Sequence, residues 1–137
     1  MKNIGFYGGS SIVELGPIPE MVSFFSVLNA NVSGIRDQEI IDRLYQRYLR
    51  LNDLEDASRL FKKVFNDSPE QVKKTYAKYF DGFEHCVRSA LGFYEDWNIY
   101  KPVKIVITDM PGFMVERDRS IEQYDALGPD DLPFWLR

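Results

Sequence analysis

Histidine and cysteine are nearly missing from this sequence. There is one of each, and they are neighbours, His85 and Cys86. A single cysteine excludes an internal disulfide and suits a reducing compartment. Structural and catalytic metal centres draw on clusters of His, Cys and carboxylates, and one adjacent His-Cys pair does not supply such a cluster. Neighbours on a helix point about 100° apart, so the pair reads as a half-buried aromatic beside a small apolar thiol. A Cys-His nucleophilic pair fails for the same reason, since no third group is implied to orient it. A Ser-His-Asp arrangement would have to use His85. Long apolar runs are missing too: no stretch approaches the ~18 residues of a membrane span. The N-terminus meets Gly5 and Gly8-Gly9 before any signal-like apolar segment develops. Asn31-Val32-Ser33 matches a glycosylation acceptor, but without a secretion signal it is read as an ordinary loop. The expectation is a cytoplasmic protein with no cofactor, no metal and no membrane segment.

What is present describes a globular chain. Its 137 residues suit one domain over 1–137 and can bury a core without staples. Apolar residues make up 45% and charged residues 28%, which separates it from disordered chains. Aromatics reach 15%, with ten Phe and eight Tyr.

The net charge of −4 has a location. Residues 116–131 carry Glu116, Asp118, Glu122, Asp125, Asp130 and Asp131 against Arg117 and Arg119, which already sums to −4. The rest of the chain balances at 15 acids and 15 bases. An acidic segment repels nucleic acid and attracts basic proteins, although a plain solvated loop has the same composition. Immediately after it comes Leu132-Pro133-Phe134-Trp135-Leu136-Arg137. Phe134 and Trp135 suit either of two roles: docked inside to close the fold, or exposed to enter a partner's pocket.

Periodicity gives the elements. Ile4–Tyr7 and Ile12–Leu15 flank Gly8-Gly9-Ser10-Ser11, the signature of a hairpin. Pro19 suits the first turn of a helix whose apolar positions are Met21, Val22, Phe24, Phe25 and Leu28, ending between Asn29 and Gly34. Asp37 is placed to cap a second helix with a stripe of Ile40, Ile41, Leu44, Tyr48 and Leu51, and with Arg43, Arg47 and Arg50 on another face. Asn52 and Glu55 suggest a capping box before Leu54, Ala57, Leu60, Phe61, Val64 and Phe65. Ser68-Pro69-Glu70-Gln71 predicts a cap and start for a long helix running toward Trp97, with Gly82 and Gly92 as weak points. The period then changes. Val103–Thr108 is β-branched, Asp109–Gly112 is a turn, and Phe113–Glu116 suits a returning strand. Ser120–Leu127 suits a short helix. The order predicts an α+β fold, a small antiparallel sheet from N-terminal and C-terminal hairpins packed with three to four central helices on one side.

Catalytic signatures do not emerge. Gly5–Ser10 is glycine-rich but lacks both the spacing of a dinucleotide loop and the Gly-Lys-Ser/Thr end of a P-loop. None of the 21 acids is marked by an apolar setting that would raise its pKa. The helical bases, among them Arg43, Arg47, Arg50, Lys62, Lys73 and Lys78, are accompanied by Asp42, Glu55, Asp56 and Glu70, which suits a solvated mixed-charge face better than a phosphate-binding one.

Two stretches carry a resemblance. Gly9–Gly16 followed by Pro19 and Met21–Leu28 resembles the start of bacterial polymorphic-toxin immunity proteins, specifically the immunity protein 70 family. Asp42–Leu49, leading into Asp56–Leu60, is similar to the pattern that follows in that family. The likeness spans roughly residues 9–65. It implies a small cytoplasmic, non-enzymatic protein that binds the toxin domain of its own locus, often in contact-dependent growth inhibition, with a nuclease as a frequent toxin. It transfers no catalytic residue. With a basic nuclease as partner, the surface expected to cover it is Glu116, Asp118, Glu122, Asp125, Asp130 and Asp131 with Trp135 as anchor. The competing readings are a helical adaptor or structural subunit, marked by self-association, and a small enzyme using scattered carboxylates or His85.

Overall fold

A computed structural model describes residues 3–108 and 119–137. The expected returning strand at Phe113–Glu116 lies outside the described residues, as do Glu116 and Asp118.

The chain opens with the hairpin. β1 (Asn3–Gly8) and β2 (Ser11–Pro17) pair antiparallel, with Phe6 opposite Val13 and Tyr7 opposite Ile12. The register slips between Ile4 and Gly5. A Cβ on Gly5 would lie 1.9 Å from the Val13 carbonyl oxygen, so the bulge admits only glycine. At the tip Gly9 takes a left-handed φ of 59°. There a Cβ would sit 2.3 Å from the Ser89 carbonyl oxygen. The tip is therefore seated on a helix rather than waving in solvent. Gly9→Ala is expected to cost at least the ~1–2 kcal/mol of left-handed backbone for a side-chain-bearing residue. Urea denaturation measures it.

Helices follow: α1 (Ile18–Ala30), α2 (Ile35–Gln46), α3 (Leu54–Asp67) and α4 (Glu70–Trp97). Pro19 stands in the first turn of α1, as its fixed φ favours. Two caps differ from the sequence expectation. Gly34 is the N-cap of α2, and Asp37 lies inside the first turn, where its charge suits the helix dipole. Pro69 caps α4, while the Ser68 hydroxyl donates back to the Val64 carbonyl at 2.6 Å and so finishes α3. Gly82 and Gly92 do not interrupt α4; the helix is kinked instead at Tyr76, whose φ and ψ are non-helical.

The largest departure follows α2. The stripe Ile40, Ile41, Leu44, Tyr48, Leu51 predicts one helix, but α2 stops at Gln46 and Tyr48–Leu49 form a short strand, β3. Arg43, Arg47 and Arg50 therefore do not share a helix face. After a 3-10 turn at Leu51–Asp53, α3 begins, with Asp53 rather than Asn52 at its N-cap position.

β3 pairs with β4 (Val103–Ile107), which pairs with β1, giving one antiparallel sheet ordered β2-β1-β4-β3. The fold is α+β. One face of the sheet, with Ile4, Phe6, Leu49, Val103, Ile105 and Ile107, packs into the main core with α1–α4. The aromatic excess is mostly spent here. Phe24 touches Phe25, Phe61, Tyr76, Tyr79 and Phe80, and Phe61 stacks on Phe83 at 3.7 Å. Around this hub Tyr79 donates to Glu20 at 2.6 Å, and burial first, then this carboxylate, pushes its hydroxyl pKa up.

The opposite face presents Tyr7, Lys104 and Tyr48 in one row. A short helix, α5 (Ile121–Asp125), and the C-terminal tail cover it. Ser120 caps α5 in a reciprocal box with Gln123. Tyr48, Tyr124, Leu127 and Phe134 form a second, smaller cluster there. Among the described residues no helix is long and apolar enough to cross a membrane.

Candidate functional site

The C-terminal segment proposed as an interaction surface is held down at several points. Trp135 is 2% exposed and belongs to the main core. Its indole N–H donates to the Tyr45 carbonyl at 2.8 Å, and its ring meets Tyr45 edge-on at 5.1 Å. Trp135 is thus a core residue, and its assignment as a partner anchor is corrected: an aromatic with an N–H to satisfy gains more by docking where a carbonyl is waiting. Phe134 is buried beside it, packed on Tyr124 and under the Arg119 guanidinium.

The acids divide into structural and surface groups. Asp125 accepts a hydrogen bond from the Tyr48 hydroxyl at 3.0 Å, fastening α5 to β3. Burial first, and then this carboxylate, raises the Tyr48 pKa. Asp131 accepts the Gly128 N–H at 2.7 Å through its carboxylate, closing the turn Gly128–Asp131, and accepts Gln46 Nε2 through its carbonyl at 2.7 Å. Arg47 donates to the carbonyls of Asp125 and Leu127. Glu122 stands exposed in the first turn of α5, and Asp130 is exposed at the turn.

Of the six acids named from the sequence, Asp130 and Asp131 come together in one feature. They line an open groove of about 460 Å³ between α2 and the tail. Asp42, reached from α2, is the third carboxylate on it. Tyr45, Leu136 and the prolines 129 and 133 supply apolar walls, and Leu132, 59% exposed, stands at the rim. Glu122 and Asp125 are not among its lining residues. Sequence reading treated Asp42 only as a partner for nearby bases. The signal for its role was its position one turn before Tyr45 and Gln46, the two α2 residues that grip the tail, but that signal needs the tail's docking site to be known first.

His85 is exposed rather than half-buried as expected, while Cys86 is buried, so the two do not share one environment. Burial pushes the Cys86 thiol up to about 12, which keeps it protonated and unreactive. Among the described residues no group of three His, Cys, Asp or Glu side chains could hold a metal ion. Bases on the helices are widely paired with acids: Lys62 with Glu84, Lys73 with Glu70, Lys78 with Glu20, and Arg88 with Glu84. Glu84 also accepts the Ser58 hydroxyl at 2.7 Å; burial opposes its ionisation, but Arg88 and Ser58 outweigh it and hold its pKa below the usual range.

Arg36, Arg43 and Arg50 converge on one carboxylate, Asp53, which is fully buried. Asp53 Oδ2 accepts the Arg50 backbone N–H at 2.9 Å, and Oδ1 lies 2.9 Å from Arg36. Burial raises its pKa, yet the Arg50 N–H and the guanidinium groups win and lower it. This cluster ties the end of α2 to the start of α3 and pairs Arg43 and Arg50, two of the bases weighed for a phosphate-binding face.

Compared with known proteins, the chain matches no protein-family model, no curated protein and no solved structure.

Proposed function

We propose that this chain is an immunity-type protein: a non-enzymatic inhibitor, acting in the cytoplasm, that binds the toxin domain of its own locus and covers the toxin's basic active-site surface. A nuclease is the toxin class that fits an acidic inhibitor best, because a site that grips phosphate is cationic. The reading is supported by the resemblance of residues 9–65 to the immunity protein 70 family, which rests on those residues alone. The observation that carries the surface is the groove between α2 and the tail. It combines Asp42, Asp130 and Asp131 with an exposed leucine and proline walls, an acidic rim around an apolar floor that a Lys- or Arg-bearing loop can enter.

The experiment is co-expression with the adjacent toxin reading frame, followed by co-purification and a growth assay. A one-to-one complex with growth restored is the expected result. No complex and no rescue overturns the immunity reading. Within the complex, Asp42→Lys with Asp130→Lys should slow association about tenfold or more at low salt and less at high salt, with little change in dissociation. Asp131 and Asp125 are left intact because both hold the fold. Unchanged association kinetics would remove the groove as the toxin-facing surface while leaving immunity itself standing.

A further inference from the structure

A second cavity, larger than the acidic groove, lies elsewhere in the described structure. It is an open pocket of about 610 Å³, within the range of small-molecule sites, and it lies where the tip of the β1–β2 hairpin, the end of α4, the 99–102 connection and α5 meet. Its character is opposite to that of the protein as a whole. In a chain of net charge −4, no carboxylate lines it among the described residues, while Lys101, Lys104 and Arg119 do. Four aromatic rings, Tyr7, Phe93, Tyr100 and Tyr124, form much of the rest.

The frame is stiff on this side. The Gly9 N–H donates to the Lys101 carbonyl at 3.1 Å, and the Ser10 N–H donates to Ser89 Oγ at 3.1 Å, so hairpin tip, connection and α4 are tied together. Tyr100 donates to the Leu49 carbonyl, which fixes the connection against β3. Lys104 is buried, with its ammonium 4.7 Å from the Tyr124 ring centre and 5.6 Å from that of Tyr7, and it donates to the Arg119 carbonyl. It is therefore a structural cation. Lys101 differs. It is half-buried at the pocket and its Nζ stands 5.5 Å from the centre of the Phe93 ring. An ammonium at the wall of an aromatic-lined pocket offers one charge-assisted hydrogen bond beside stacking surfaces to the same guest.

We propose that this pocket binds a small molecule consisting of a flat aromatic body and one anionic group, with the ring among the aromatic side chains and the anion on Lys101. The site lies apart from the acidic groove and does not depend on the proposed function.

The test uses the full-length chain and three probes: 1-naphthyl phosphate, 1-naphthol and inorganic phosphate. Calorimetry gives affinity. Trp97, 67% exposed and with its ring centre 6.3 Å from that of Phe93, gives a fluorescence signal at the pocket. Saturable binding of naphthyl phosphate is expected, about tenfold tighter than naphthol, with no saturable binding of phosphate alone. Lys101→Gln should remove that preference and leave naphthol binding as it was. Ile99→Glu, at an exposed position on the rim, should repel the phosphate probe and keep the fold, which circular dichroism checks. Asp67→Asn, at an exposed position of α3 away from the pocket, should leave naphthyl phosphate affinity as it was. Equal affinity for the charged and uncharged probes, an unchanged preference in Lys101→Gln, or no saturable naphthyl phosphate binding would each overturn the proposal.

Discussion

Trp135→Ala should destabilise the protein by about 3–5 kcal/mol, the cost of removing a buried large aromatic from a packed core. For a domain with a total stability of about 5–15 kcal/mol, that is a large fraction. The melting temperature should fall by roughly 10 °C or more. The size of the effect follows from three losses at one position. The ring leaves the main core, where it is 2% exposed. The edge-on contact with Tyr45 goes, and Tyr45 in turn packs on Phe25 at 5.1 Å. The Tyr45 carbonyl also loses its indole donor, and α2 loses a fastening to the tail. Trp135→Phe separates these contributions. It keeps most of the packing and forfeits the hydrogen bond, so it should cost about 1–3 kcal/mol, the penalty of an orphaned carbonyl. Urea denaturation followed by circular dichroism gives both numbers. The native emission should also be a composite of a buried indole and the exposed Trp97. If Trp135→Ala left stability within about 0.5 kcal/mol of the parent, as surface substitutions do, the tail could not be docked as described, and Trp135 would return as a partner anchor.

The tail illustrates how far sequence could go. Phe134 and Trp135 after an acidic segment state that something must bury two aromatics. They do not state what, because the receiving carbonyl of Tyr45 lies 90 residues away in the chain. Local signals performed well where local physics decides. The glycine pair gave the hairpin, Pro19 the start of α1, and Ser120–Leu127 the short helix seen as α5. They failed where two elements share one pattern. Leu44 and Tyr48 are four residues apart, which reads as one helical stripe, yet Tyr48 and Leu49 leave the helix to pair with Lys104 and Val103. Two residues of strand carry no period of their own, so only the waiting edge of β4 could reveal them. The same break took Arg43, Arg47 and Arg50 off a common helix face, so that Arg43 and Arg50 meet at Asp53 while Arg47 holds the tail. For the candidate surface, charge density pointed to residues 116–131 but did not show the division of labour among the acids. Asp125 and Asp131 are spent on Tyr48 and the Gly128 turn, and Asp42 joins Asp130 from another element.

Asp53→Ala is expected to cost about 3 kcal/mol, at the lower end for breaking a buried ion pair. The low end applies because Arg36 and Arg50 are themselves substantially exposed and regain water when the carboxylate is removed. What is lost without compensation lies deeper. The Arg50 backbone N–H gives up its acceptor, the turn between β3 and α3 loses its closing bond, and Arg43, whose Nε is buried 3.7 Å from Asp53 Oδ2, loses that carboxylate. Asp53→Asn keeps the shape and one acceptor oxygen, so it should recover part of the loss and isolate the contribution of charge. The pH dependence gives the sign. The folded-state pKa of Asp53 is lowered, with burial opposing and the Arg50 N–H and guanidinium groups prevailing. Its stabilisation is therefore complete above the unfolded aspartate value of about 3.9 and disappears as pH falls through the lower folded value. The stability gap between the parent and Asp53→Asn should be flat from about pH 5 to neutrality and close below about pH 4. A gap that stayed constant through the acid range would mean that the carboxylate's charge contributes nothing and that the cluster holds the α2–α3 connection by shape and hydrogen bonding alone.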